Sequence, residues 1–114
     1  MEKNKSEQKR QQGRLRVAID GQYRFAGDQD WLHCTVFDLS PSGMALGGKQ
    51  SFYAGDKIEV RFVLEKRAVV AELEVTNLTG KKAGGKILKM SDDDRGYVQE
   101  ILNRELLSGN ARLT

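Results

Sequence analysis

Residues 57–76 read KIEVRFVLEKRAVVAELEVT, and this stretch decides the fold. Ile58, Val60, Phe62 and Leu64 alternate with Lys57, Glu59, Arg61 and Val63. That period of two is the signature of a strand with one buried face. Lys66 and Arg67 read as a hairpin tip. Val69, Ala71, Leu73 and Val75 then alternate with Val70, Glu72, Glu74 and Thr76, a return strand of matching length.

The same period extends outward from this hairpin. Upstream, Leu15, Val17, Ile19, Tyr23 and Phe25 alternate with Arg16, Ala18, Asp20, Gln22 and Arg24. Gly21 reads as a bend or bulge in that strand. Residues 26–30 (AGDQD) read as a turn, 31–37 as a strand, 38–43 as a turn cluster holding the only proline, and 44–46 as a short strand before Gly47 and Gly48. Residues 54–56 form another turn. Downstream, 79–85 read as a Gly/Lys loop and 86–90 as the last strand.

The pattern then switches to the helical period. Ser91 and Asp94 form an S-x-x-D capping signature, and three aspartates complement the helix dipole. A helix is predicted over 92–107, with Tyr97, Ile101, Leu102 and Leu106 on its apolar face and Gly109 at its end. Six or seven short strands and one C-terminal helix make an all-β fold with a terminal helix. A small antiparallel sheet hides its edges by closing into a barrel. The helix is expected to cap one mouth or lie along one side.

Length and charge narrow the function. At 114 residues the chain fits one domain, with no cleft between two. Of the net charge of +3, residues 1–16 hold +4, from six basic and two acidic side chains, leaving −1 for everything after them. The expected division is therefore a flexible basic arm at 1–13 and a nearly neutral barrel and helix at 14–109. A basic arm on a neutral body suits capture of a compact anion. The lone cysteine, Cys34, excludes an internal disulfide. The first residues lack an apolar signal region, and no apolar run approaches membrane-spanning length, so a cytoplasmic location is the default expectation.

Two segments carry chemistry. Arg10-Gln11-Gln12-Gly13-Arg14 is an R-x-x-x-R just before the first strand. Its planar guanidinium groups can bond phosphate or the O6/N7 edge of guanine, and can stack on a purine. Asp38-Leu39-Ser40-Pro41-Ser42-Gly43 is a D-x-S-x-x-G. A carboxylate can accept from the N1–H and N2–H₂ of guanine, Ser40 can donate or accept, and Gly43 lets a ligand or backbone come close. As an ordinary turn, the same residues would cap, bond the backbone and take a positive φ. A ring of two guanines and two phosphates would match both segments at once.

R-x-x-x-R before the first strand, followed by D-x-S-x-x-G, resembles the PilZ domain family. The turn Ala54-Gly55-Asp56 before a strand pair and Gly85-Lys86-Ile87-Leu88 leading into a helix are similar to the family pattern. The resemblance implies a six-stranded barrel that binds cyclic di-GMP. It implies that Arg10 and Arg14 contact phosphate and guanine while Asp38, Ser40 and Gly43 line the opposite wall. It also implies that an arm ordered by ligand alters contact with a downstream protein partner.

Other classes find less support. His33 and Cys34 are strand neighbours on opposite faces, so neither a metal site nor a nucleophile pair is expected. Gly47-Gly48 and Gly84-Gly85 match no phosphate-loop pattern. No Ser/His/Asp set or carboxylate pair has a credible setting, so catalysis, a metal and a resident cofactor are not expected. Trp31 is expected to pack against the helix or barrel rim. Lys81, Lys82, Lys66 and Arg67 read as solvated loop tips. Two alternatives stand: a nucleotide-independent interaction scaffold of the same fold, and a small RNA- or DNA-binding barrel. The latter typically interleaves surface aromatics with basic residues, whereas aromatics here are 7% and mostly fall on the inner face.

Overall fold

The alternation read at 57–76 closes a barrel. In a computed structural model that describes residues 13–108 and 111–113, the elements run β1 (Gly13–Phe25), β2 (Leu32–Leu39), β3 (Gly43–Gly48), β4 (Lys57–Leu64), β5 (Arg67–Thr79), β6 (Lys82–Met90), α1 (Asp92–Leu107) and β7 (Ala111–Leu113). The sheet order is β2-β3-β6-β5-β4-β1-β7, and β1 also pairs with β2, so the first six strands close on themselves. Every pairing is antiparallel. Closure leaves no open edge among those six, which is how a small sheet avoids pairing with other chains.

The inward faces form one core. Tyr23, Val36, Leu46, Val60 and Leu73 are all fully buried, each from a different strand. Cys34 is buried beside them while His33 is exposed, so the two neighbours do face opposite ways. Helix α1 packs Val98, Ile101 and Leu102 into this core. The Ser91 hydroxyl accepts from the Asp94 N–H at 3.0 Å and caps the helix, as the S-x-x-D spacing predicts. Ser108 forms the C-cap, with its N–H 3.2 Å from the Arg104 carbonyl oxygen. Gly109, the expected helix stop, lies outside the described residues.

Three sequence readings are corrected. The loop expected at 79–85 is a tight hairpin: β5 runs to Thr79, Gly80 turns at φ +61°, and β6 starts at Lys82. Gly84 and Gly85 belong to that strand, and at Gly85 a side chain does not fit. A Cβ on Gly85 would lie 2.5 Å from the Glu74 carbonyl oxygen. Second, Gly21 is no bulge; the register slips between Arg16 and Ile19 instead. Gly21 pairs with Cys34 on one side and Phe62 on the other, and a Cβ there would lie 2.9 Å from the Arg61 carbonyl oxygen. Third, of the two settings expected for Trp31, helix or barrel rim, the contacts are with barrel residues: the Arg24 and Arg61 guanidinium carbons stand 4.4 and 3.9 Å from its ring centre. The terminal strand β7 was not anticipated.

Candidate ligand-binding site

The D-x-S-x-x-G segment straddles two strands. Asp38 and Leu39 end β2, residues 40–42 turn, and Gly43 opens β3. Leu39 points into the core and is fully buried, so Asp38 faces outward by the strand period. Ser40 is 3% exposed, and its side chain holds the turn. Its Oγ accepts from the N–H of Ser42 at 3.3 Å and of Gly43 at 3.2 Å, and donates to the Gly43 carbonyl at 3.3 Å. The Ser40 N–H donates to the same carbonyl at 2.8 Å. This is a hydroxyl-closed turn, in which a short polar side chain replaces backbone partners.

Gly43 is required by close approach. A Cβ there would stand 2.8 Å from the Gly85 carbonyl oxygen on β6 and 3.5 Å from Arg14 Nη2. The missing side chain lets β3 and β6 pair and lets the guanidinium of Arg14 lie over the turn.

Arg14 comes from the opposite direction in sequence. It sits at the start of β1, whose next residues pair with the end of β2, Leu15 with Leu39 and Arg16 with Asp38. The register places the Arg14 guanidinium against the Asp38 carboxylate, and the two form a direct ion pair. Both are only part-buried, at 38% and 28% side-chain exposure, so the pair stays open to an incoming ligand. Arg10 lies outside the described residues.

The pair forms one end of a cleft of about 290 Å³ on the outer barrel wall, which continues over Ala45, Gly84 and Gly85 to Thr76, Asn77, Thr79 and Lys82. Ala45 pairs with Gly84 and Gly84 with Asn77, so the floor is three adjacent strands carrying small residues. Its charges are Arg14, Lys82 and one carboxylate, Asp38. The cleft is locally positive even though the body of the chain carries a small acidic excess. Sequence reading did not find Asn77, Lys82 or the two glycines as site residues. The only available signal was the Gly84-Gly85 pair, which was read as loop.

The turn is also tied to the helix. Arg95 on α1 donates to the Pro41 carbonyl oxygen. Among the described residues, no group of three or more His, Cys, Asp or Glu side chains is placed to hold a metal, and no helix is long and apolar enough to cross a membrane.

This geometry can be set beside known proteins. The inhibitor of motility MotI/DgrA from Bacillus subtilis matches with a TM-score of 0.73 and 17% identity, covering 87% of this chain and 51% of that chain. This chain thus spans about half of MotI. The PilZ domain of YcgR from Escherichia coli, solved with c-di-GMP, matches with a TM-score of 0.63 and 15% identity over 84% of this chain and 92% of that one. The PilZ domain of CeSA from a cellulose-synthesizing bacterium matches with a TM-score of 0.61 and 13% identity over 80% of this chain and 95% of that one. At such identities the likeness is one of fold. No curated protein sequence matches. The sequence model of the PilZ domain matches residues 8–104, which takes in both arginines of the R-x-x-x-R, the turn at Pro41, all six barrel strands and most of helix α1. The chain belongs to the PilZ domain family.

Proposed function

We propose that this chain is a receptor for cyclic di-GMP, held between the arginines of the arm and the wall formed by Asp38 and Gly43. The observation that carries the reading is the meeting of Arg14 and Asp38 at the end of a locally positive cleft. One is a donor fork for phosphate or the guanine O6/N7 edge, the other an acceptor for guanine N–H groups. Family membership and the c-di-GMP-bound YcgR domain support the same ligand. In this reading Arg10 supplies the second guanidinium. Ser40 is a positioning residue, because its hydroxyl is committed to the turn.

The free pair must open for the ligand to enter. The ligand's two phosphates then take the place of Asp38 against Arg14, while Asp38 turns to guanine N–H groups. Ordering the arm costs roughly 1–2 kcal/mol per residue fixed. Charge-assisted hydrogen bonds return about 1.5–3 kcal/mol each. A micromolar affinity needs only about −8 kcal/mol net, so several such bonds suffice. The ordered arm then presents a new surface to a downstream protein partner. The module carries out no catalysis and needs no cofactor.

The scaffold alternative keeps one observation in its favour, since Arg14 and Asp38 already neutralise each other without a ligand. Calorimetry separates the two. Cyclic di-GMP is titrated into the chain and into Arg10→Ala and Arg14→Ala. The receptor reading expects binding in the parent chain and a loss of tenfold or more in each variant. No heat with the parent chain would favour the scaffold. Equal affinity in all three would remove the arm from the mechanism.

A further inference from the structure

A second groove lies beside the first. It has a volume of about 770 Å³ and runs along the outer wall from β2 to the β5–β6 hairpin. Phe37 and Leu32 give it apolar surface, and Lys49, Lys81 and Lys82 give it charge. No carboxylate lines it. Asp20, the carboxylate paired with a lining residue, meets His33 on an exposed face at 3.3 Å. Lys49 and Lys81 make no ion pair among the described residues.

Phe37 lies across the floor of this groove. A Cβ on Gly47 would lie 3.0 Å from Phe37 Cε2, so glycine is what lets this ring reach over β3. Lys82 Nζ stands 4.5 Å from the centre of the same ring. That contact divides this groove from the Arg14–Asp38 cleft, and Lys82 and Thr79 line both.

A buried hydroxyl also reaches this site. Tyr23 is fully buried and lines the groove, where the absence of a side chain on Gly48 makes room for its ring. Its hydroxyl has the Gln50 backbone near it and no side-chain partner among the described residues. A buried hydroxyl so thinly partnered can take a further hydrogen bond from a ligand.

We propose that this groove is a second ligand site, which takes a flat aromatic ring bearing a phosphate or carboxylate. The ring packs on Phe37, the anion sits among Lys49, Lys81 and Lys82, and a polar ring substituent reaches the Tyr23 hydroxyl. Cation–π and charge-assisted contacts are both strengthened where water is excluded. The site does not depend on the cyclic di-GMP reading, since it uses neither Arg14 nor Asp38.

The test uses 1-naphthyl phosphate and 2-naphthoate as probes, with inorganic phosphate and 1-naphthol as the two halves. Each is titrated into the full chain by calorimetry. At least one aromatic anion is expected to bind tenfold or more tighter than either half. Which of the two binds better distinguishes a phosphate from a carboxylate preference. The doubly reversed variant Lys49→Glu/Lys81→Glu, both on exposed turns, should lose tenfold or more. Arg14→Ala should stay within twofold. In Tyr23→Phe, stability should hold or rise while probe affinity falls about threefold. Aromatic anions no tighter than phosphate or naphthol would overturn the proposal. So would unchanged affinity in the charge-reversed variant, or loss of binding in Arg14→Ala, which would place the probe in the first cleft.

Discussion

Arg95, on the first turns of the helix, donates to the backbone carbonyl of Pro41, 54 residues earlier in the chain. The helix that packs on the barrel core therefore also grips the turn of the candidate site. Tyr97 adds a second tie from the same helix by donating to the Leu64 carbonyl at 2.9 Å. Position of the turn and docking of the helix are thus coupled through one side chain.

Arg95→Ala should separate these roles. A charged donor to a part-buried carbonyl contributes about 1.5 kcal/mol or somewhat more net. Val98, Ile101 and Leu102 still hold the helix, so chemical denaturation should show a loss of only that order. Cyclic di-GMP affinity should fall threefold to tenfold by calorimetry, because the turn that positions Asp38 loses its brace. Equal stability and equal affinity would mean the contact holds nothing in place.

The neighbouring glycines of β6 should respond very differently to alanine. At Gly85 the new Cβ meets backbone, the Glu74 carbonyl oxygen at 2.5 Å, and the Leu73 side chain at 2.8 Å. Neither can retreat easily in a paired strand, so a cost of roughly 2–4 kcal/mol is expected. At Gly84 the obstacle is the end of the Asn77 side chain, which can swing outward. Gly84→Ala should cost less than about 1 kcal/mol in urea unfolding. It should nonetheless weaken cyclic di-GMP binding, since the added methyl group rises from the cleft floor. Equal destabilisation by the two substitutions would contradict the described packing.

Cys34 should report on core integrity through pH. Burial, with a smaller effect of the Asp20 charge, pushes its thiol from 9.0 up to about 11. At pH 8 the native chain should therefore react with a disulfide reagent far more slowly than the unfolded chain. The sign for stability follows from the same shift. Below pH 9 the thiol is neutral in both states and stability is intact. Between 9 and 11 only the unfolded chain ionises, so stability falls, by on the order of 2 kcal/mol. Comparing stability against pH for the parent chain and Cys34→Ala isolates this loss. Parallel curves would refute it.

Much of the fold was legible because alternation is a local property. The hairpin at 57–76, the helix with its Ser91 cap, and the closure of the sheet all follow from periods carried by neighbouring residues. What failed was local too, but misleading: residues 79–85, five of them glycine or lysine, read as loop. Close approach of β5, not flexibility, is what demands glycine there. In the site, Asp38, Ser40 and Gly43 stood out by their spacing. Arg95, Asn77 and Lys82 did not, since only the barrel topology carries them to the same wall. The hydroxyl of Ser40 could be assigned to the turn only once its distances to Ser42 and Gly43 were known.

The pairing of β7 has a consequence for how the receptor would move. Gly13, Arg14 and Leu15 are matched to Leu113, Arg112 and Ala111 on one flank, and Leu15 to Leu39 on the other. Arg14 is thereby paired with Arg112 on one flank, one residue before the ladder to β2 takes hold at Leu15. If Arg10 and Arg14 share one ligand as proposed, Arg14 would be the anchored member of the pair, its backbone held in the wall.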